Sequence, residues 1–495
     1  MASIKINFRG GIISPGDLYN LLVAAGKAKV DAVSFGLRQQ LLIDVQPDRY
    51  MELAEQLHLL GIFYEKDRDQ YPNISSSYPA EEIFITSTWL SEGVYRDIFD
   101  MLEPRPRLKI NISDSNQSFT PILTGNINWV ASLNAPHFWH LFVRFPKTNN
   151  VCEWTQLVYT NDIARISKQI EDIIFSSGKL FYDNPAADGG ALFDMLAKEK
   201  YNTRAADTPA NLPTFNLPYY EGLNRYQDRF WLGIYRRDEK YSVGFLKDLC
   251  KLCLQTKIGQ VCATPWKTII IKNIEEKDRP SWNDLLARHH INVRHAANEL
   301  NFQVEDDCKE GLALKSYLLK HLHNDDTRTF GICIGIKTRA KSEVFSSILV
   351  RQRALLKIGK LELFKVYDIL CAKDFNPNER TGVIFSKGNF KFLLGEQLRR
   401  AIFSFYAYQA STGNLALKKS AKKKDLTPVP ARELFVHQCR HCLSVYDEQI
   451  GEIDAGIAAG TSFDELPATF CCSLCESGKE DFRKVNVTNL GLQAV

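Results

Sequence analysis

The residues whose types and spacing speak most plainly of chemistry stand near the end of the chain. They are Cys439-x-x-Cys442 and Cys472-x-x-Cys475, with 29 residues between the pairs. Two thiolates three positions apart in a tight turn can point at one metal, and two such turns make a tetrahedron of four sulfurs. An all-thiolate tetrahedron selects iron or zinc. Other clusters are less specific. Cys250-x-x-Cys253 sits inside an apolar helical stretch, FLKDLCKLCLQ, which predicts two packed thiols on one helix face. His289, His290 and His295 lie on a basic, polar helix with no acidic or thiolate third ligand beside them in sequence. His137 and His140 alternate with aromatic residues as a strand does, which predicts packing. No glycine-rich phosphate loop or nucleophile elbow occurs in the chain, so nucleotide-binding and hydrolase chemistry have no support.

The elements that must position the four thiolates come next. Ahead of them, STGNLALKKSAKKKDLTPVPAR (411–432) combines small residues, a lysine cluster and two prolines, and predicts a flexible tether. The lysines at 418–424 read as a solvated face, with docking of an acidic partner as the alternative. From Phe435 the text FVHQCRHCLSVYDEQIGEIDAGIAAGTSFDELPATFCCSLCESGKEDF resembles a rubredoxin, the small one-iron electron carrier. Its body pattern is carried by Tyr446-Asp447, Gly451, Asp454, Gly456, Gly460-Thr461, Phe463, Leu466-Pro467, Gly478-Lys479 and Phe482. A zinc ribbon separates its pairs by fewer residues and lacks this aromatic and glycine body, so the resemblance implies one iron, cycling between Fe3+ and Fe2+, on Cys439, Cys442, Cys472 and Cys475. Tyr446, Phe463, Phe470 and Phe482 would form the small core that excludes water from it.

Three departures from that family pattern stand out. The glycine that follows each C-x-x-C is here Leu443 or Glu476, and the proline after the third ligand is Ser473. A non-glycine residue at positive φ is strained. The Glu476 charge beside an anionic site favours the ferric form, which predicts a potential below that of a standard rubredoxin. Cys471, next to Cys472, is an alternative ligand that strand alternation turns to the opposite face.

Upstream, the chain repeats itself. Ser14-Pro15-Gly16-Asp17 supplies an N-cap, a proline at N1 and an acid in the first turn, followed by Leu18, Leu21, Leu22 and Ala25 at helical spacing. A strand AVSFGLRQQLLIDV (32–45) follows. About 229 residues later come a helix over Val243–Leu254 and a strand VCATPWKTIIIKNI (261–274), which aligns without a gap and sets Arg38 opposite Lys267 and Leu41-Leu42 opposite Ile270-Ile271. Helical stretches at 47–60 and 281–300 come next, then second strands beginning near Arg107 and Arg328. A helix–strand–helix–strand unit occurring twice predicts an α+β protein with pseudo-two-fold halves.

That unit resembles the ferredoxin-like half-domain of the nitrite and sulfite reductase superfamily, on Gly36-Leu37-Arg38-Gln39 and on Pro104-Arg105-Pro106-Arg107-Leu108-Lys109. The resemblance implies a sirohaem beside a [4Fe-4S] cluster. It implies a cationic anion site at Arg38, Arg107 and Lys109, with Lys267 as the counterpart in the second half. Strand-end basic residues, solvated or salt-bridged, are the alternative for each. The cluster's C-x5-C and C-x3-C are missing: Cys308 has no partner five residues on, Lys337 stands where Cys333 needs a thiolate, and the first half offers Ser115 and Phe119. Two cysteines cannot hold a four-iron cluster. The fold is thus expected to survive without that metal centre.

The expected organisation is a first reductase-like half at 1–205, a second at 206–410, the tether at 411–432, a rubredoxin domain at 433–486 and a tail at 487–495. With 45% hydrophobic and 24% charged residues the chain is an ordinary globular one, and a net charge of +4 gives no case for nucleic acid. No apolar run reaches the roughly 18 residues of a membrane helix, and twelve cysteines fit a reducing compartment, so the cytoplasm is expected. The expected function is one-electron transfer to or from a redox protein, in nitrate or nitrite assimilation. The competitors are a sirohaem-dependent reductase with rubredoxin as built-in donor, and a non-redox adaptor holding structural zinc.

Overall fold

Ser14 starts the first helix as its sequence predicts: its hydroxyl accepts the Asp17 N–H, and Pro15 occupies N1, where no amide hydrogen is required. The computed structural model describes residues 1–85, 88–210, 212–293, 296, 298–339, 344–358, 361–379, 382–421, 435–442, 444–452, 456–458, 460–473 and 475–486. It divides into two compact units, Met1–Ser411 and Thr412–Val495.

In the first unit the chain begins with β1 (Ala2–Ile6), β2 (Ile12–Ile13), α1 (Pro15–Lys27), β3 (Ala32–Phe35), β4 (Leu41–Val45), α2 (Tyr50–Leu59) and β5 (Glu65–Lys66). A lobe follows, with β6 (Ser75–Ser76), α3 (Glu92–Met101), β7 (Ile110–Ser113), β8 (Ile127–Ala131), β9 (Phe138–Arg144), β10 (Val151–Glu153), β11 (Gln156–Tyr159), α4 (Ile163–Ser176), α5 (Gly178–Phe181), α6 (Gly189–Leu196) and β12 (Thr203–Ala205). The second half opens with β13 (Gly222–Tyr226), β14 (Arg229–Ile234), β15 (Tyr241–Ser242), α7 (Val243–Gln255), β16 (Val261–Ala263), β17 (Ile269–Ile274) and α8 (Arg279–Arg288). Its lobe holds β18 (Phe302–Val304), α9 (Lys309–Asn324), β19 (Ile334–Lys337), β20 (Ile348–Ile358), β21 (Leu361–Ala372), β22 (Gly382–Asn389) and the start of α10 (Lys391–Ala421), whose residues from Thr412 on belong to the second unit.

The repeat is real and reciprocal. In one central sheet the order is β15-β3-β4-β1-β5, and in the other β13-β14-β17-β16-β2, so each half lends a short strand to the other's sheet. Ile12 and Ile13 pair with Cys262 and Val261, while Tyr241 and Ser242 pair with Val33 and Ala32. Helices α1 and α7 pack together, and one apolar core runs through both halves. Cys250 and Cys253 belong to that core, which accounts for their spacing. The two lobes share a topology as well. Strands β6, β7 and β8 run parallel and β8 and β9 antiparallel, and β18, β19 and β20 run parallel before the antiparallel β21 and β22.

Several sequence expectations are corrected. Each 14-residue stretch is a hairpin rather than one strand: Gly36 N–H meets Gln40 O at 2.8 Å, and Thr264 N–H meets Thr268 O at 3.0 Å. The turns place Gln39 and Lys267 in the left-handed region, at φ 63° and 58°, where turn chemistry leads one to look for glycine. The structural offset is therefore 264 − 36 = 228, not 229. Lys267 corresponds to Gln39, not Arg38, and Leu41-Leu42 correspond to Ile269-Ile270. A one-residue slip of this kind exchanges the faces of a strand. Helix α8 stops at Arg288 instead of reaching residue 300. The second lobe strands begin at Ile110 and Ile334. Helix α10 continues through Ala421, so 411–421 of the expected tether is helical. Residues 422–434 and 487–495 lie outside the described residues.

The second unit carries a three-stranded sheet, β23 (Phe435–Cys439), β24 (Val445–Tyr446) and β25 (Phe482–Asn486), in the order β24-β23-β25. Tyr446, Phe463, Leu466 and Phe470 form its buried core, with Ile457 and Phe482 against it. Aromatic side chains set close to one another at angles dominate so small a core: Phe463 and Phe482 lie 5.5 Å apart, and Tyr446 and Phe470 5.7 Å in an edge-on pair.

Candidate metal centre

Two tight turns, one leaving β23 and one before β25, carry the four cysteines. In each, the first cysteine's N–H closes the turn onto the carbonyl of the residue five further on: Cys439 onto Ser444 at 2.9 Å, and Cys472 onto Ser477 at 2.8 Å. The sulfurs of Cys439, Cys442, Cys472 and Cys475 all lie within 4.8 Å of one another, with 3.6 Å between Cys439 and Cys475 and 3.4 Å between Cys442 and Cys472. Four thiolates at about 2.3 Å from one ion require edges of about 3.8 Å, so the set is close to the size of a tetrahedral site. Among the described residues this is the one group of three or more ligating side chains placed to hold a metal.

The electrostatics of the tetrad are uneven. N–H groups of Cys442 and His441 point at Cys439 and hold its thiol below the ordinary range. At Cys475 the Ser477 hydroxyl and N–H pull downward, but loss of water and the neighbouring Cys442 and Cys439 push its thiol up to about 11. Crowded sulfurs resist ionising together, and a cation removes that repulsion. Glu476 sits at φ 60° and is exposed, as the missing glycine implies. Leu443, its counterpart in the first turn, lies outside the described residues, as do Asp454 and His295. Cys471 is exposed and stands outside the tetrad. Two features were missed from the sequence. Ser444 and Ser477 set hydroxyls against the sulfurs, a signal present as C-x-x-C-x-S twice. His437 stacks flat on Phe463 at 3.9 Å.

In the body, the predicted basic residues meet different protein partners. Arg38 spends its guanidinium on the carbonyls of Asn73 and Ile110 and on Asn111 Oδ1 at 3.2 Å. Around Asp69, burial raises the carboxyl, but Lys5, Lys109 and Arg38 together hold it below its usual range. Arg107 turns to α4, 3.2 Å from Glu171 Oε1 and stacked on Phe175. Lys267 is buried. Desolvation opposes its charge, but Glu239 at 2.7 Å and Asp306 at 3.5 Å outweigh that and keep it protonated. Among the described residues, cavities of about 730, 330 and 900 Å³ open on the body, and none of these is lined by any of the four predicted basic residues.

Several of the remaining cysteines and histidines have protein partners. Cys308 caps α9, its sulfur accepting the Gly311 N–H at 3.3 Å, and Cys333 donates to Phe345 O at 3.1 Å. Ser115 donates to Ala131 O, and Phe119 is a core side chain. Burial pushes the Cys250 thiol up to about 12 and that of Cys253 well above its usual value. His289 does have an acidic neighbour, Asp248 of α7 at 3.0 Å, which sequence distance concealed. His140 pairs with Glu153 at 3.1 Å, and His137, at φ 63° just before β9, packs on Trp89.

A three-stranded sheet, an aromatic core and two knuckles presenting four sulfurs define a small thiolate metal domain. Residues 436–482 match the Rubredoxin family model. Rubredoxin-2 of Chlorobaculum tepidum is 40% identical over 48 residues, covering 10% of this chain and 92% of that protein. The probable Rubredoxin-2 of Methanocaldococcus jannaschii is 46% identical over 54 residues, covering 11% and 96%. The chain belongs to the rubredoxin family through this C-terminal domain. The body shares its fold with a solved structure. Mycobacterium tuberculosis NirA protein superposes with a TM-score of 0.62, 15% identity, and coverage of 81% of this chain and 80% of that one, a likeness of fold alone. No helix among the described residues is long and apolar enough to cross a membrane.

Proposed function

We propose that the chain is a one-electron transfer protein whose centre is a single iron on Cys439, Cys442, Cys472 and Cys475. The observation that carries this is the size and composition of the sulfur tetrad inside a rubredoxin domain. Bound there, iron would supply a one-electron ferric/ferrous couple. The chain's own residues do the rest. Tyr446, Phe463, Phe470 and Phe482 keep water from the inner side, and the N–H groups of His441 and Cys442 stabilise negative charge on Cys439. Exposed Cys475 and partly exposed Cys442 leave the outer side open for electron exchange with a donor or acceptor protein.

The reductase-like body is proposed as a docking scaffold that no longer holds a four-iron cluster, with a role in nitrate or nitrite assimilation. The pairing of Arg107 and Lys267 with carboxylates, and the protein partners of Cys308 and Cys333, support this over a sirohaem enzyme. The test is metal analysis and a visible spectrum of the purified full chain. One iron per chain with thiolate-to-iron charge-transfer bands is expected. Added sirohaem bands would overturn it in favour of a reductase, and a colourless zinc protein in favour of a structural adaptor.

A further inference from the structure

We infer that the hydroxyls of Ser444 and Ser477 are hydrogen-bond donors to the metal-bound sulfurs and hold the reduction potential of the centre up. The inference rests on the iron reading above and extends it to residues that the ligand pattern alone does not single out. Ser444 Oγ lies 2.9 Å from Cys472 Sγ and 3.2 Å from Cys442 Sγ, and Ser477 Oγ lies 3.0 Å from Cys475 Sγ. The two serines occupy the same place in the two knuckles, two positions beyond the second cysteine. Each is held there by the backbone bond that closes its own turn, from Cys439 N–H to Ser444 O and from Cys472 N–H to Ser477 O. Position and contact thus recur independently in two segments of sequence.

The direction of the hydrogen bonds follows from metal binding. A free thiol and a hydroxyl can each donate to the other, but a coordinated thiolate has no proton, so the hydroxyl must become the donor. Ser444 has one proton and two sulfurs in reach, and the shorter contact assigns it to Cys472. Ser444 therefore bridges the knuckles, donating from the first to a ligand of the second, whereas Ser477 serves its own knuckle.

Reduction adds one electron and no proton, and the extra negative charge spreads over the four sulfurs. A donor already aimed at sulfur stabilises the reduced form more than the oxidised one, and hydrogen bonds to charged groups are the strong ones. The serines thus oppose Glu476, whose carboxylate favours the oxidised form. A sequence-only expectation of a low potential counts the glutamate and omits the two hydroxyls.

The test uses the full chain loaded with iron and compares Ser444→Ala, Ser477→Ala and the double variant with Ser444→Thr and Ser477→Thr, which keep the hydroxyls. The midpoint potential and the energy of the charge-transfer bands are read for each. Each alanine variant is expected to shift the oxidation equilibrium toward ferric by up to about tenfold, or about 59 mV for one electron, with the double variant shifting further and the threonine variants staying near the parent. Metal content and the unfolding midpoint separate a tuning effect from a lost fold, because a merely structural role would change these and leave the potential of the surviving iron protein in place. Iron-loaded alanine variants with unchanged or raised potentials would overturn the inference and leave the iron reading standing. A parent chain that takes up no iron would overturn both.

Discussion

Removing the charge and the side chain of Glu476 separately gives two signals of predictable sign. The residue follows the fourth cysteine, is exposed, and sits at φ 60°. Two unit charges 4 Å apart in water interact by about 1 kcal/mol, and a solvated carboxylate beside the sulfurs reaches at most about that. Since tenfold in equilibrium is about 59 mV for one electron, Glu476→Gln is expected to raise the potential by up to ~40 mV at low ionic strength. The shift should shrink as salt shortens the screening length to about 8 Å at 0.15 M. Glu476→Gly should raise the potential as much and add stability. Left-handed backbone costs a side-chain-bearing residue about 1–2 kcal/mol. The greater freedom of glycine in the unfolded chain returns about 0.5–1 kcal/mol of that, leaving a net gain near 0.5–1 kcal/mol. The assays are redox titration at two salt concentrations, and urea unfolding followed by visible absorbance, with the midpoint rising at constant slope. A Gln variant that leaves the low-salt potential unchanged or lowers it would refute the electrostatic part. A Gly variant no more stable than the Gln variant would refute the strain.

Three further outcomes follow from the geometry. Cys442→Ser should abolish stoichiometric iron retention, read by metal analysis, while Cys471→Ser leaves it intact, because Cys471 stands outside the tetrad. Lys267→Met should destabilise the body by about 3 kcal/mol in chemical denaturation, since the Glu239 carboxylate would lose its cation and Asp306 would keep only the Leu37 N–H and the Gln40 amide. Burial alone would raise the Asp368 carboxyl, but hydrogen bonds from Arg353, the Gly388 N–H and Arg351 lower it to about 2. A carboxyl depressed on folding stabilises above its unfolded value near 4, so that contribution is lost as pH falls from about 4 to about 2. Asp368→Asn should flatten the acid limb of the body's unfolding curve, and an unchanged limb would count against the pairing.

The sulfur tetrad was legible because its members are local: each knuckle is a short turn whose spacing fixes the sulfur positions whatever surrounds it. The aromatic core of that domain was legible for the same reason. In the body, helix α1 could be read from its cap and apolar spacing, α7 from apolar spacing, and the repeat from their recurrence. What failed was everything set by distant partners. Gln39 and Lys267 adopt turn conformations without the glycine that signals them, because Gln39 is held by Ser76 and Ala263 O and Lys267 by Glu239 and Glu305 O. The slip of one residue in the aligned repeats came from those turns. The strand exchange between halves was invisible because β2 and β15 are two residues each and gain their pairing from the opposite half. Arg107 read as an anion ligand until α4 supplied Glu171.

The central claim is that this chain carries one redox-active metal, an iron on Cys439, Cys442, Cys472 and Cys475. An anaerobic reductive titration of the full chain, followed by its visible bands and by electron paramagnetic resonance, tests it most directly. One electron per chain should bleach the charge-transfer bands and remove a high-spin ferric signal together, and reoxidation should restore both. Uptake of no electrons, or of more than one with a second spectroscopic species, would contradict it.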